Sequence, residues 1–191
     1  MFQTRTISNQ LTFFQKLRSF DFTLLFCIFI IGIISCYSMY STDGGELLYH
    51  SKSHIIRFLV FFVMMIVLSF LNIKFWHSTG YLFYIIVLGF LIWASFYGVT
   101  ASGSQRWISL YFINLQPSEL MKIAIIVCFA KYYHRTHVSD VNSFKNLLLP
   151  IAILILPIVL VVSQPDLGTS ILIALSGLVV LWLAGLNIKY F

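Results

Sequence analysis

Charge is what this sequence has least of. Six of its 191 residues are acidic and twelve are Lys or Arg, so charged side chains make up 9% of the chain. Soluble domains carry about 25%, and this scarcity excludes one. Cysteine is rare as well. Cys27, Cys36 and Cys128 all lie inside apolar runs, which argues for small packing or membrane-facing residues and against disulfides or thiolate metal ligands. No run of basic residues accompanies the net charge of +6, so a nucleic-acid surface is excluded. The sequence also lacks a Walker loop, His/Cys spacing suited to a metal and a nucleophile elbow. His134 and His137 flank Arg135 and read as part of a solvated loop.

What fills the chain is oil: 60% of residues are hydrophobic and the mean hydropathy is +0.94. The class is an all-α integral membrane protein, a polytopic bundle. The first twenty or so residues are polar and mixed, without the basic start, short apolar core and small-residue site of a cleavable signal. The first apolar run is therefore read as a retained helix. With about 20 apolar residues needed per crossing, six spans are expected: Phe22–Tyr40, Ile55–Leu71, Tyr81–Tyr97, Pro117–Tyr133, Leu147–Val162 and Leu167–Leu183. Pro157 is expected to kink the fifth. Pro165 should end that helix and suit the first turn of the sixth. The whole chain, 1–191, reads as one membrane domain, with 1–21 as a cytoplasmic N-terminal segment.

Basic residues orient the spans. With the N-terminus inside, Arg5, Lys16, Arg18, Lys74, Lys131, Arg135, Lys145 and Lys189 fall on the cytoplasmic side, and only Lys52, Arg57 and Arg106 outside. Even-numbered helices then begin at the outer face. That places Glu119, Lys122, Asp166 and the segment bearing Arg106 and Trp107 toward one outward-facing cavity.

Two polar clusters interrupt the oil: Gln116-Pro117-Ser118-Glu119 with Lys122, and Gln164-Pro165-Asp166-Leu167-Gly168-Thr169. Each sets a carboxylate at the first turn of a membrane helix, where ionisable groups are costly. Glu119 and Lys122, three apart, share a helix face. They form either a self-neutralising pair that ties helices together or part of a polar cavity for an anionic or sugar-phosphate headgroup. Asp166 is either a helix cap or a site carboxylate. Trp107 is an interface anchor or a cavity residue. Arg106 suits phosphate or a carboxylate. The stretch Trp107–Ile113 reads as a short re-entrant or interfacial segment.

Gly103-Ser104-Gln105-Arg106-Trp107-Ile108, Gln116-Pro117-Ser118-Glu119-Leu120-Met121-Lys122 and Gln164-Pro165-Asp166-Leu167-Gly168-Thr169-Ser170, in this order, resemble the signature of the SEDS family (shape, elongation, division and sporulation proteins). The run Ile171–Leu186 is most similar to the family's rod-elongation branch, with the division branch second. The resemblance implies a bacterial inner-membrane protein with about six transmembrane helices here of the family's roughly ten. It implies a glycosyltransferase that polymerises lipid II into peptidoglycan strands on the outer face, beside a class B penicillin-binding protein and the elongation complex. Carried over, Trp107 matches a functionally sensitive Trp, Glu119 and Lys122 a buried helix-four pair, and Asp166 the acid of the Gln-Pro-Asp motif. Arg106 is the candidate for substrate phosphate. Where the family often has Gly, this chain has Tyr111 or Phe112. The chain matches only the first half of the family, and the expected catalytic Asp belongs to a loop beyond Phe191, so no catalytic residue is assigned here. No cofactor is identifiable and dependence on a divalent cation is left open. A transporter (flippase) of lipid-linked precursor and an inactive remnant are the competing readings.

Overall fold

The computed structural model describes residues 17–101, 104–109, 114–134, 136–137 and 140–187. These fall into two compact units, Met1–Leu71 and Asn72–Phe191.

The first unit holds α1 (Phe22–Thr42) and α2 (Tyr49–Ser69). Asp21 caps α1, its Oδ1 accepting the Leu24 N–H at 3.0 Å. The chain reverses at Gly44 and Gly45, whose φ values of +79° and +82° suit glycine. Asp43 then accepts the N–H of Ser51 at 2.8 Å and also the Ser51 hydroxyl, tying the turn to the first turn of α2. These bonds hold the Asp43 carboxyl below its ordinary range. Because α2 begins at Tyr49, it starts before the apolar run at Ile55. Its first turns, with His50, Ser51 and Lys52, are polar enough for the headgroup layer, where a helix continues without needing apolar residues.

The second unit holds α3 (Ile73–Tyr97), the strands β1 (Val99–Ala101), β2 (Ser104–Ser109) and β3 (Asn114–Leu115), then α4 (Pro117–Tyr133), α5 (Phe144–Ser163) and α6 (Leu167–Leu183). The helix α3 also starts ahead of its apolar run, at Ile73 rather than Tyr81. Its buried Val87, Leu91 and Ala94 pack on α4, whose Met121, Ala124, Ile125, Cys128 and Phe129 are fully enclosed. Each set recurs at helical spacing. Helix α6 packs on both α4 and α5. Gly177 allows that approach: a Cβ there would lie 2.4 Å from Leu154 Cδ1.

Helix α5 runs through two prolines, Pro150 and Pro157. Each lacks the N–H that would bond the carbonyl four residues earlier, leaving those of Asn146 and Ile153 open in an apolar setting. Neighbouring helices close both: the Tyr132 hydroxyl donates to Asn146 O at 3.0 Å and the Tyr84 hydroxyl to Ile153 O at 2.9 Å. A membrane helix keeps internal prolines only where such donors are supplied.

Among the described residues, α1, α2, α3 and α5 are long and apolar enough to cross a membrane. Each of the six expected spans coincides with a helix. Helices α4 and α6 have 17 residues each, at the lower limit for a crossing, and each begins at a Gln-Pro cluster. The segment after α3 has a regular structure that the sequence did not announce. Ser104–Ser109 is the central strand of an antiparallel sheet of order β1-β2-β3; of the stretch expected to be re-entrant or interfacial, residues 110–113 lie outside the described residues. Pairing satisfies backbone groups that an irregular segment near the bilayer would leave open.

Candidate functional site

One end of the second unit gathers the C-terminus of α3, the sheet, the N-terminus of α4 and the turn from α5 to α6. Both Gln-Pro clusters belong to it. Gln116 is the N-cap of α4 and Pro117 its first residue, a position where the missing N–H costs nothing. The Gln116 side chain does not cap its own helix. It reaches across the bundle, Nε2 donating to Asp166 Oδ2 at 3.3 Å.

Asp166 is the junction. Its Oδ1 accepts the Thr169 N–H at 3.2 Å, capping α6, and its Oδ2 accepts Arg106 Nη1 at 2.9 Å from β2. The two readings of Asp166, cap and site carboxylate, are thus not exclusive: each oxygen serves one. Burial pushes the carboxyl pKa up, but the bonds from Arg106 and Thr169 outweigh it and hold the group below its ordinary 3.8. Pro165 precedes this N-cap rather than occupying the first turn of the last helix.

Gln164 is nearly enclosed, 5% exposed. Its Nε2 donates to Ser95 Oγ at 2.5 Å and lies 3.4 Å from Leu91 O, fastening the end of α5 to α3. The sequence assigns no individual role to Gln116, Gln164 or Ser95. The repeated Gln-Pro pair was a signal for the first two; nothing in the sequence singled out Ser95.

The second ion pair is local. Lys122 Nζ donates to both Glu119 oxygens at 2.9 Å across one helical turn. Its side chains are 22% and 55% exposed, against 26% and 10% for Arg106 and Asp166. In this chain Glu119 is exposed, in the positively polarised first turn of α4. Ser118, in the first turn of α4, is buried, its hydroxyl without a hydrogen-bond partner among the described residues.

Trp107 follows Arg106 on β2, opposite Val99 of β1. Successive strand side chains point to opposite faces, so Arg106 and Trp107 are presented on opposite sides of the sheet.

Polar groups from separate helices and a sheet, clustered at one end of an apolar bundle, define a polytopic membrane protein with a built polar site. The comparisons place it further: residues 18–191 match the FtsW/RodA/SpoVE family, described as cell cycle proteins, and the chain belongs to that family. It is 32% identical over 179 residues to the peptidoglycan glycosyltransferase MrdB of Escherichia coli K12, covering 94% of this chain and 47% of that protein. It is 34% identical over 152 residues to the probable peptidoglycan glycosyltransferase FtsW of Buchnera aphidicola subsp. Schizaphis graminum, covering 77% and 43%. The chain thus spans about half the length of the curated relatives it matches. Its fold resembles that of Thermus thermophilus rod shape determining protein RodA, with a TM-score of 0.77 and 22% identity over 90% of this chain and 56% of that one. It also resembles a chain of a peptidoglycan synthase complex that coordinates polymerization and crosslinking, with a TM-score of 0.79 and 21% identity over 91% and 50%.

Proposed function

We propose that the chain is part of a peptidoglycan glycosyltransferase of the rod-elongation type, a bacterial inner-membrane protein with a cytoplasmic N-terminus that polymerises lipid II at the outer face. One observation carries the reading. In a chain about a third identical to MrdB, the Gln116-Arg106-Asp166 junction and the Glu119–Lys122 pair are built into the same end of the bundle.

Chain polymerisation of a lipid-linked sugar needs a base for the acceptor hydroxyl and positive charge for the departing diphosphate. Lys122 supplies that charge, with Glu119 orienting the ammonium through both of its oxygens. Arg106 is held by Asp166, so Asp166 acts through it as a positioning residue, and Gln116 steadies the same carboxylate. Trp107 supports the sheet that carries Arg106. No residue of this chain is assigned as the base. The partner in this reading is a class B penicillin-binding protein of the elongation complex, supported by the synthase complex among the similar structures.

The test places Glu119→Ala, Lys122→Ala and Asp166→Ala at the matching positions of full-length MrdB and follows lipid II polymerisation by the purified protein. Each is expected to reduce the rate about tenfold or more. Normal polymerisation by all three ends the reading. The similarity to FtsW favours septal division as the second reading. Depletion separates the two: rounded cells support elongation, filaments division.

A further inference from the structure

The first unit contains a cleft that the proposed chemistry does not use. It lies between α1 and α2, open to the surroundings, with a volume of about 460 Å³. Ile28, Ile31, Phe58 and Phe61 line its apolar length, and Ser35, His54 and Arg57 its polar part. Its shape follows from one residue: the Phe58 ring packs where a Cβ on Gly32 would lie, 2.0 Å from Phe58 Cζ. The helices therefore touch at the floor and leave a shallow trough above it.

Arg57 gives the trough its specificity. It lies two residues past Ile55, where the apolar run of α2 begins, about 3 Å along the axis, at the inner edge of the headgroup layer in a helix of membrane-spanning length. A guanidinium at such depth needs an anion or water. Among the described residues no carboxylate lies within ion-pair distance of it. Asp43, at the nearby turn, is taken by the N–H and hydroxyl of Ser51. Arg57 Nε donates to Ser53 O at 3.0 Å, which fixes the stem. His54 and Ser35 bind each other at 2.8 Å across the two helices, adding a polar ledge beside the guanidinium.

We propose that this trough binds one anionic phospholipid, its phosphate on Arg57 and an acyl chain along Ile28, Ile31, Phe58 and Phe61. Phosphate is the anion a bilayer supplies near this depth, and the planar guanidinium matches its geometry. Charge favours a lipid headgroup: among the described residues Arg57 is the one Lys or Arg lining the cleft, and it needs an anion beside its apolar length. An acyl chain is slender enough to lie along the apolar residues of the trough. The inference does not rest on the glycosyltransferase reading.

The test uses the purified full chain, exchanged into detergent with equal phosphatidylglycerol and phosphatidylethanolamine and read by native mass spectrometry. One phosphatidylglycerol is expected to remain bound in preference. Arg57→Gln should reduce its retention about fivefold, the equivalent of about 1 kcal/mol per basic residue at an anionic lipid surface, and Arg57→Lys should keep most of it. Ile31→Trp fills the trough and leaves the charge, so it decides the matter if Arg57→Gln does not fold: retention should fall with it too. Undiminished phosphatidylglycerol in a folded variant, equal retention of both lipids, or capture of a polypeptide rather than lipid by a photo-crosslinker at Ile28 would overturn the proposal.

Discussion

The two ion pairs at the polar end of the second unit use the same chemistry and differ in everything around it. Glu119 and Lys122 meet within one turn of α4, and the carboxylate stays more than half exposed. Arg106 and Asp166 meet across 60 residues, joining a strand to a helix cap, and the carboxylate is 10% exposed. An exposed pair in one turn contributes little to stability, because water screens it and the helix exists without it. A pair that holds a sheet against a helix end, with a glutamine on the same oxygen, contributes more, because losing one member strands the other in a poorly solvated place. The local pair is thus the more exposed of the two, and the distant pair the one that ties separate elements together.

The largest effect expected from this contrast is on Arg106→Ala. It should destabilise the second unit by about 2 kcal/mol, the range for a hydrogen bond to a charged group, read by denaturant unfolding in detergent. A double-mutant cycle with Asp166→Ala should return a coupling above about 1 kcal/mol; independent effects would erase the distinction between the pairs. The pH dependence sharpens it. Asp166 has a lowered pKa in the folded state, so its contribution is fully present above the ordinary carboxylate range and is lost as pH falls through the lowered value. Wild-type stability should drop there, and Asp166→Asn should lack that part of the drop.

A middle-sized effect tests whether the bundle depends on its buried polar contacts away from the site. Tyr84→Phe removes the donor that closes Ile153 O above Pro157. The expected loss is about 0.6 kcal/mol, the average for interhelical hydrogen bonds in a membrane protein. No loss would mean that the carbonyl finds another partner.

Smallest in stability is the Glu119–Lys122 pair. Its double-mutant cycle should give about 0.3–0.5 kcal/mol, as for helix pairs one turn apart. A coupling as large as that of Arg106 with Asp166 would show that both pairs are structural.

Composition alone settled the membrane class, since no soluble core can be built from a chain with so few charges. The starts of α4 and α6 were legible because Gln-Pro followed by an acid is a helix-start signal that does not depend on distant residues. The start of α1 at Phe22 was legible as well; those of α2, α3 and α5 were not. Apolar runs report where the hydrocarbon begins, and α2 and α3 extend past it into polar sequence. The Glu119–Lys122 contact was legible too, because one helical turn fixes it. The Arg106–Asp166 contact was not, although both residues stood out separately: no local spacing relates positions so far apart. The sheet at β1-β2-β3 was missed for the same reason, since its short strands acquire their pairing from one another.

Sequence by itself determined the material of this protein, an apolar helical membrane chain with two acid-bearing helix starts, because hydropathy and helix capping are local properties. Tertiary structure alone decided that Gln116 serves Asp166, that Gln164 ties α5 to α3, and that tyrosines of α3 and α4 complete the prolines of α5. Those contacts depend on which helix faces meet, and packing rather than sequence spacing sets that.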